Sequence, residues 1–288
     1  MDANLHIVGN KYKLIKKIGS GNFGQVYQGK HVKKDQFVAI KLEKKDQELN
    51  TIKYETTILN HLYRKGCRDT PFVLWYGPYG DYICLVMTYF DKSFVECIPK
   101  LKLQTDQINK IMIRMIEILE NIHSHYVIHR DIKPENFMIL ENEIYLIDFG
   151  LSTFYINEEH EHSIFRDDRD FIIGSPKYIS INIHNGIEPS RRDDLISIGY
   201  IYLYLYFGKL LWSDTDPTVE TYSPMHILNE KNQFRKKYKV TEVITKITLK
   251  CNEKINEYID YCYNLKYAET PNYNRLKEIF TPLEIYIP

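Results

Sequence analysis

Asp131, Lys133 and Asn136 stand close together in the run His129-Arg130-Asp131-Ile132-Lys133-Pro134-Glu135-Asn136. A carboxylate can hold a hydroxyl nucleophile, an ammonium two residues on can neutralise a transferring phosphoryl group, and an amide oxygen can ligate a hard cation. Asp148, in Asp148-Phe149-Gly150, adds a second acidic oxygen ligand twelve residues after Asn136. Together they are the parts of a phosphoryl-transfer centre. Asp131 is expected to be the base or orienting carboxylate, Lys133 to stabilise charge on the γ-phosphate, and Asn136 and Asp148 to hold Mg2+. The plain alternative is a polar surface loop; two such motifs in the right order argue against it.

Such a centre needs a nucleotide anchor upstream. Gly19-Ser20-Gly21-Asn22-Phe23-Gly24, followed by Gln25-Val26, is a GxGxxGxV loop. Glycines let backbone amides approach phosphates without side-chain clash. The same glycine spacing marks dinucleotide-binding folds, which require a strand, the loop and then a helix. Here a strand-like Val26-Tyr27-Gln28 follows, which favours a hairpin covering ATP. Val38-Ala39-Ile40-Lys41 places a lysine on the next strand, where it can hold the α- and β-phosphates. Its counter-ion is expected to be Glu55, beside the apolar helix positions Ile52, Ile58 and Leu59; Glu48 is the competitor.

The elements that must position these groups read in two halves. Tyr12 to Tyr27 alternates around a glycine turn, Phe37 to Leu42 is a short apolar run, and Phe72 to Trp75 and Tyr82 to Thr88 are two more strands with a turn near Gly77-Pro78. Glu48 to Tyr63 has helical spacing. From Thr105, Ile108, Ile111, Met112, Met115, Ile116, Leu119 and Ile122 trace a long amphipathic helix. A short strand follows at Ile144 to Ile147. Further helices are expected at Arg192 to Tyr206, Thr241 to Lys250, Glu253 to Asn264 and Tyr273 to Ile279. The expected fold is α+β and bilobal: an N-lobe of five antiparallel strands plus one helix over residues 1–89, and a larger, mainly helical C-lobe over 90–288, in a single domain of 1–288.

Bulk properties narrow the function classes. Lys+Arg and Asp+Glu are both 38, so zero net charge gives no global pull toward nucleic acid or an anionic membrane, and no specific nucleic-acid binding is expected. Five cysteines, with no CxxC, suit reduced thiols in the cytoplasm or nucleus better than a disulfide framework or a zinc site. The first ten residues lack a signal-peptide layout, and no apolar run is long enough to span a membrane. Leu195 to Leu211 reads as a buried helix. Tyr, Ile, Asn and Lys are abundant, as in the AT-rich genomes of some parasites and large DNA viruses; a viral member would act in its host's cell. Glu158-Glu159-His160-Glu161-His162 reads as a solvated, mobile insert rather than a metal site, and His123 and His125 as structural.

Past Asp148-Phe149-Gly150 the chain has no Ala-Pro-Glu. It has Gly174-Ser175-Pro176-Lys177-Tyr178-Ile179-Ser180-Ile181-Asn182, then Gly186-Ile187-Glu188-Pro189-Ser190-Arg191-Arg192-Asp193-Asp194-Leu195. These runs, with Phe137 and Ala39-Ile40-Lys41-Leu42-Glu43, closely resemble the casein kinase 1 family of Ser/Thr protein kinases, from Tyr12 to about Phe280. Such a resemblance implies ATP and Mg2+ as cofactors, protein Ser/Thr hydroxyls as substrates, and activity without activation-loop phosphorylation. Lys133 also matches the Ser/Thr kinases. The residues implied for the nucleotide are Ile18, Gly19 to Gly24, Val26, Ala39 against the adenine ring, Lys41, Glu55, Met87 as gatekeeper, backbone near Thr88 to Phe90, and Asp148. Asp194 is implied to buttress the catalytic loop, and Gly174 and Ser175 to face the substrate.

The chain departs from the family in three places. Its hinge reads Met87-Thr88-Tyr89-Phe90-Asp91-Lys92-Ser93. Ser175-Pro176 replaces Thr-Ala. Ser213-Asp214-Thr215-Asp216-Pro217 stands where relatives carry a basic stretch, which puts a preference for primed, acidic substrates in doubt. Arg166 and Lys177 keep basic positions, and Phe234-Arg235-Lys236-Lys237-Tyr238-Lys239 reads as a solvated helix face. No long tail follows Phe280, so tail autoinhibition is not expected. Two rival functions are a pseudokinase scaffold, which would have lost Lys41, Asp131 or Asp148, and a kinase-fold enzyme acting on a small molecule.

Overall fold

The computed structural model describes residues 7–21, 24–46, 51–101, 103–169, 171–210, 212, 225–227 and 252–282. They form two compact units: residues 1–93 with 137–152, and 94–136 with 153–288.

The N-terminal unit is built on an antiparallel sheet. Its strands are β1 (Ile7–Val8), β2 (Tyr12–Gly21), β3 (Gly24–His31), β4 (Phe37–Lys44), β5 (Val73–Tyr79) and β6 (Tyr82–Thr88), in the order β1-β2-β3-β4-β6-β5. The five expected strands are thus joined by a two-residue sixth, β1, which pairs Ile7 with Lys13 and Val8 with Tyr12. Alternation in β4 sends Val38, Ile40 and Leu42 into an apolar cluster with Val8, Tyr12, Cys84 and Val86. Ala39, Lys41 and Glu43 therefore point to the opposite face. The helix α1 (Thr51–Arg64) buries Ile52, Glu55, Ile58, Leu59 and Leu62.

Gly77-Pro78 is not the turn. Both residues lie inside β5, opposite Cys84 and Ile83 of β6, and the chain reverses at Gly80, which has φ +54°. Proline lacks a ladder donor, but β5 is an edge strand, where that loss is tolerated. The same unit holds β7 (Lys92–Ser93), β9 (Phe137–Leu140) and β10 (Glu143–Leu146) in a small antiparallel sheet. Glu141 and Asn142 join β9 to β10 with φ of 51° and 69°, the signs a two-residue type I′ hairpin requires.

The C-terminal unit contains α2 (Phe94–Leu101), α3 (Thr105–Ser124), α4 (Ile181–His184), α5 (Arg191–Phe207), α6 (Glu253–Asn264) and α7 (Tyr273–Phe280). Its short strands pair as β8 (Val127–Ile128) with β11 (Thr153–Phe154), and β12 (Phe171–Ile173) with β13 (Met225–Ile227). The apolar stripe of α3 buries Ile108, Met112, Met115, Ile116, Leu119 and Ile122, and packs on α5 and α7. Along α5 nearly every side chain from Arg191 to Leu205 is buried, so it has no polar face to display. Ser190 and Asp193 close its N-terminus as a capping box, and Gly208, with φ +75°, ends it. The expected helix at 241–250 lies outside the described residues.

Candidate active site

In the N-terminal unit the glycine-rich loop joins two strands, not a strand and a helix. Gly19 pairs with Val26, Ser20 with Gln25 and Gly21 with Gly24; Asn22 and Phe23 lie outside the described residues. Gly24 has φ +111°, and a Cβ there would stand 2.0 Å from the Leu42 carbonyl oxygen, so only glycine fits. Ile18, just before the loop, is exposed. Ala39 on β4 pairs with Met87 on β6, and Val38 with Thr88. The Thr88 amide donates to the Phe72 carbonyl at 3.0 Å. Phe90 is buried against the ring of Tyr145.

Lys41 Nζ lies 2.8 Å from Glu55 Oε2 and 2.9 Å from Asp148 Oδ1. Burial alone lowers an ammonium's pKa, but the Asp148 and Glu55 carboxylates outweigh it and hold Lys41 above its ordinary value. Burial pushes Glu55 upward, while Lys41 opposes that rise. The other Glu55 oxygen accepts the Phe149 amide at 3.2 Å, so one carboxylate gathers the lysine and the Asp148-Phe149-Gly150 turn. Asp148 itself has φ +63°, a left-handed conformation that aspartate tolerates better than most residues. A side chain at Gly150 would crowd Lys41 Nζ and Asp148 Oδ1 at 3.3 and 3.4 Å. Glu48 lies outside the described residues.

In the C-terminal unit the Asp131 carboxylate collects four donors. Oδ1 accepts the Ser175 amide at 3.0 Å and its hydroxyl at 2.8 Å. Oδ2 accepts Lys133 Nζ at 2.8 Å and Asn136 Nδ2 at 3.2 Å. Lys133 Nζ also donates to Ser175 Oγ at 3.0 Å. Asn136 Nδ2 donates as well to the Asp131 carbonyl at 2.8 Å, which leaves the amide oxygen as the atom that can ligate a cation. Residues 12–277 match the family model described as the protein kinase domain.

The chain belongs to the protein kinase family.

This kinase has the family's α+β fold and its general chemistry, phosphotransfer. Its loop is held from beneath by Asp194, near the start of α5. Asp194 Oδ2 accepts the His129 amide at 2.7 Å and Oδ1 the Arg130 amide at 2.9 Å. His123 Nε2, at 3.0 Å, completes the set, and Tyr273 meets His123 Nδ1 at 2.7 Å. Burial pushes the Asp194 carboxyl upward, but His123 and the bonded amides outweigh that and hold it below its ordinary value. Arg130 is held at φ +67°, a strained conformation for arginine that these two amide bonds help to maintain.

Sequence reasoning did not single out Tyr273 or Arg191. Arg191 donates to the Ala268 carbonyl at 2.7 Å and to Tyr155 Oη at 3.3 Å, and Tyr155 in turn donates to the His123 carbonyl at 2.6 Å. No local pattern signalled these links: Arg191 and Tyr273 are the first residues of α5 and α7, and their partners lie far away in the chain. His160 and His162 sit in a hydrogen-bonded turn in which Asn157 and Ser163 donate to Glu161 and Tyr155. His162 packs between the rings of Tyr155 and Tyr267. Among the described residues no three His, Cys, Asp or Glu side chains converge as a metal site, and no helix is long and apolar enough to cross a membrane.

Proposed function

We propose that this kinase is a Ser/Thr protein kinase of casein kinase 1 type, which transfers the γ-phosphate of ATP to protein hydroxyls with Mg2+. The observation that carries the reading is the Asp131 cluster. Its carboxylate is built to accept donors, and the hydroxyl it already holds, Ser175 Oγ at 2.8 Å, belongs to the class of group it would orient in a substrate. Lys133, touching both Asp131 and that hydroxyl, is placed to neutralise charge that develops on the transferring phosphate. The long runs Gly174–Asn182 and Gly186–Leu195 support the family assignment, and Lys133 the Ser/Thr preference.

In this reading the β2–β3 hairpin and Ile18, Val26, Ala39, Met87, Thr88 and Phe90 receive the nucleotide, and Lys41 with Glu55 anchors its phosphates. The oxygen donors of Asn136 and Asp148 suit Mg2+, whose role is to neutralise phosphate charge. Asp131 orients the hydroxyl for in-line attack; the gain comes from positioning and fixed charge rather than a covalent intermediate. Transfer of labelled phosphate to casein, followed by phosphoamino-acid analysis, tests it. Phosphoserine and phosphothreonine are expected. Phosphotyrosine alone, or turnover of small metabolites without casein, refutes the assignment.

A further inference from the structure

Glu43 is almost wholly enclosed, at 2% exposure, yet it plays no part in the site described so far. Its carboxylate reaches across to the start of α1. Oε1 accepts the Thr51 amide at 3.2 Å and the Thr51 hydroxyl at 3.1 Å, and Oε2 accepts the Ile52 amide at 2.9 Å. The first amides of a helix have no partner within it, and they form the positive end of its dipole. A buried carboxylate chelating two of them is a cap supplied by a strand. The first turn of α1 carries no acid of its own.

Its partner along the same strand is Lys41. The two residues are two positions apart on β4 and so share the face turned away from the apolar cluster. Lys41 holds Glu55 at 2.8 Å, four residues after Thr51. Two strand residues span about 6.6 Å, and four helix residues rise about 6 Å. The two spacings are commensurate, with Glu43 at the first turn and Lys41 one turn further along as the strand runs back. A helix pinned at one point can rotate or slide; pinned at two matching points it cannot do so without breaking one of them.

We infer that Glu43 is a positioning residue that fixes the register of α1, so that Glu55 stays on Lys41. The inference rests on the reading of Lys41 and Glu55 as the phosphate anchor. Glu43 does not touch nucleotide in this account; it acts through α1.

The test is Glu43→Gln, which keeps the size and one acceptor but turns an NH2 group toward backbone donors. Amide hydrogen exchange and ATP-dependent phosphoryl transfer are measured on the full chain, beside the wild type. Exchange over 51–55 is expected to rise about tenfold while amides of β2–β6 keep their protection, with kcat/KM for ATP down about tenfold, chiefly through KM. Unchanged exchange in α1 overturns the inference. So does an equal rise across β2–β6, or normal kcat/KM despite a loosened α1. If Glu43→Gln does not fold, Thr51→Pro removes the Thr51 donors at the first helical position, where proline is accepted; the same local pattern is expected, and wild-type behaviour overturns the idea. If the wild type itself transfers no phosphate, the anchor reading fails, while the exchange comparison still decides whether Glu43 holds α1.

Discussion

Asp194→Asn probes how the loop that carries Asp131 is held. The carboxylate is 3% exposed and accepts the amides of His129 and Arg130 through different oxygens, at 2.7 and 2.9 Å. An asparagine keeps one oxygen. Whichever way the amide turns, its NH2 group meets a backbone N–H, either at His129 or at Arg130. His123 can follow by changing tautomer, since the Tyr273 hydroxyl either donates or accepts. One hydrogen bond to a charged group, about 1.5–3 kcal/mol, is therefore lost, and a buried donor is left unmet. We expect destabilisation of about 3 kcal/mol, which for a chain of this size lowers Tm by about 6–12 °C. Asp131 follows Arg130 directly, and a displacement of about 1 Å at a reacting group costs about a hundredfold. The expected kcat is thus about ten- to a hundredfold lower, with KM for ATP changed less than about threefold. Differential scanning fluorimetry and steady-state kinetics read both quantities. A Tm within about 2 °C of wild type together with an unchanged kcat would refute the claim that Asp194 holds the loop.

Three further outcomes follow from particular contacts. Gly24→Ala places a Cβ 2.0 Å from the Leu42 carbonyl at φ +111°, so the β3–β4 pairing must shift; a loss of more than about 2 kcal/mol is expected by denaturant unfolding, and a neutral variant contradicts it. Tyr273→Phe leaves buried His123 Nδ1 without its partner and should cost about 1–3 kcal/mol in the same assay. His123 also sets a pH dependence. Burial lowers its pKa below the ordinary 6.5, although Asp194 pulls the other way. Between the folded pKa and about 6.5 the unfolded chain binds the extra proton, so stability rises with pH there and falls on acidification, by at most about 1.4 kcal/mol per pH unit. His123→Gln should flatten that slope in chemical denaturation between pH 7 and pH 5; an unchanged slope places the titration elsewhere.

The strands and long helices were legible because their apolar patterns are clean: residues 12–27 alternate, residues 37–42 are a short apolar run, and α3 repeats at helical spacing. Glu55 stood out because it lies among the packed positions of α1, and the structure pairs it with Lys41 at 2.8 Å. The Gly77-Pro78 signal misled because turn residues are also tolerated on an edge strand, and only the pairing of β5 with β6 shows that this one is an edge. The hairpin at Glu141 and Asn142 lacked the usual glycine and gave little sign. Glu43, Tyr273 and Arg191 could not be assigned for a different reason. Each acts across the chain, on Thr51 and Ile52, on His123, and on Ala268, and no local pattern encodes a partner that only tertiary packing supplies.

Asp131 and Asp148 are proposed to serve phosphoryl transfer from ATP. The most direct measurement is transfer of labelled γ-phosphate to casein in magnesium, comparing wild type with Asp131→Asn and Asp148→Asn, each first shown to be folded. Phosphorylated Ser and Thr are expected with wild type, and a loss of at least about a hundredfold in both variants. Wild-type rates in either folded variant, or no transfer from a folded wild type that binds ATP, would contradict the proposal.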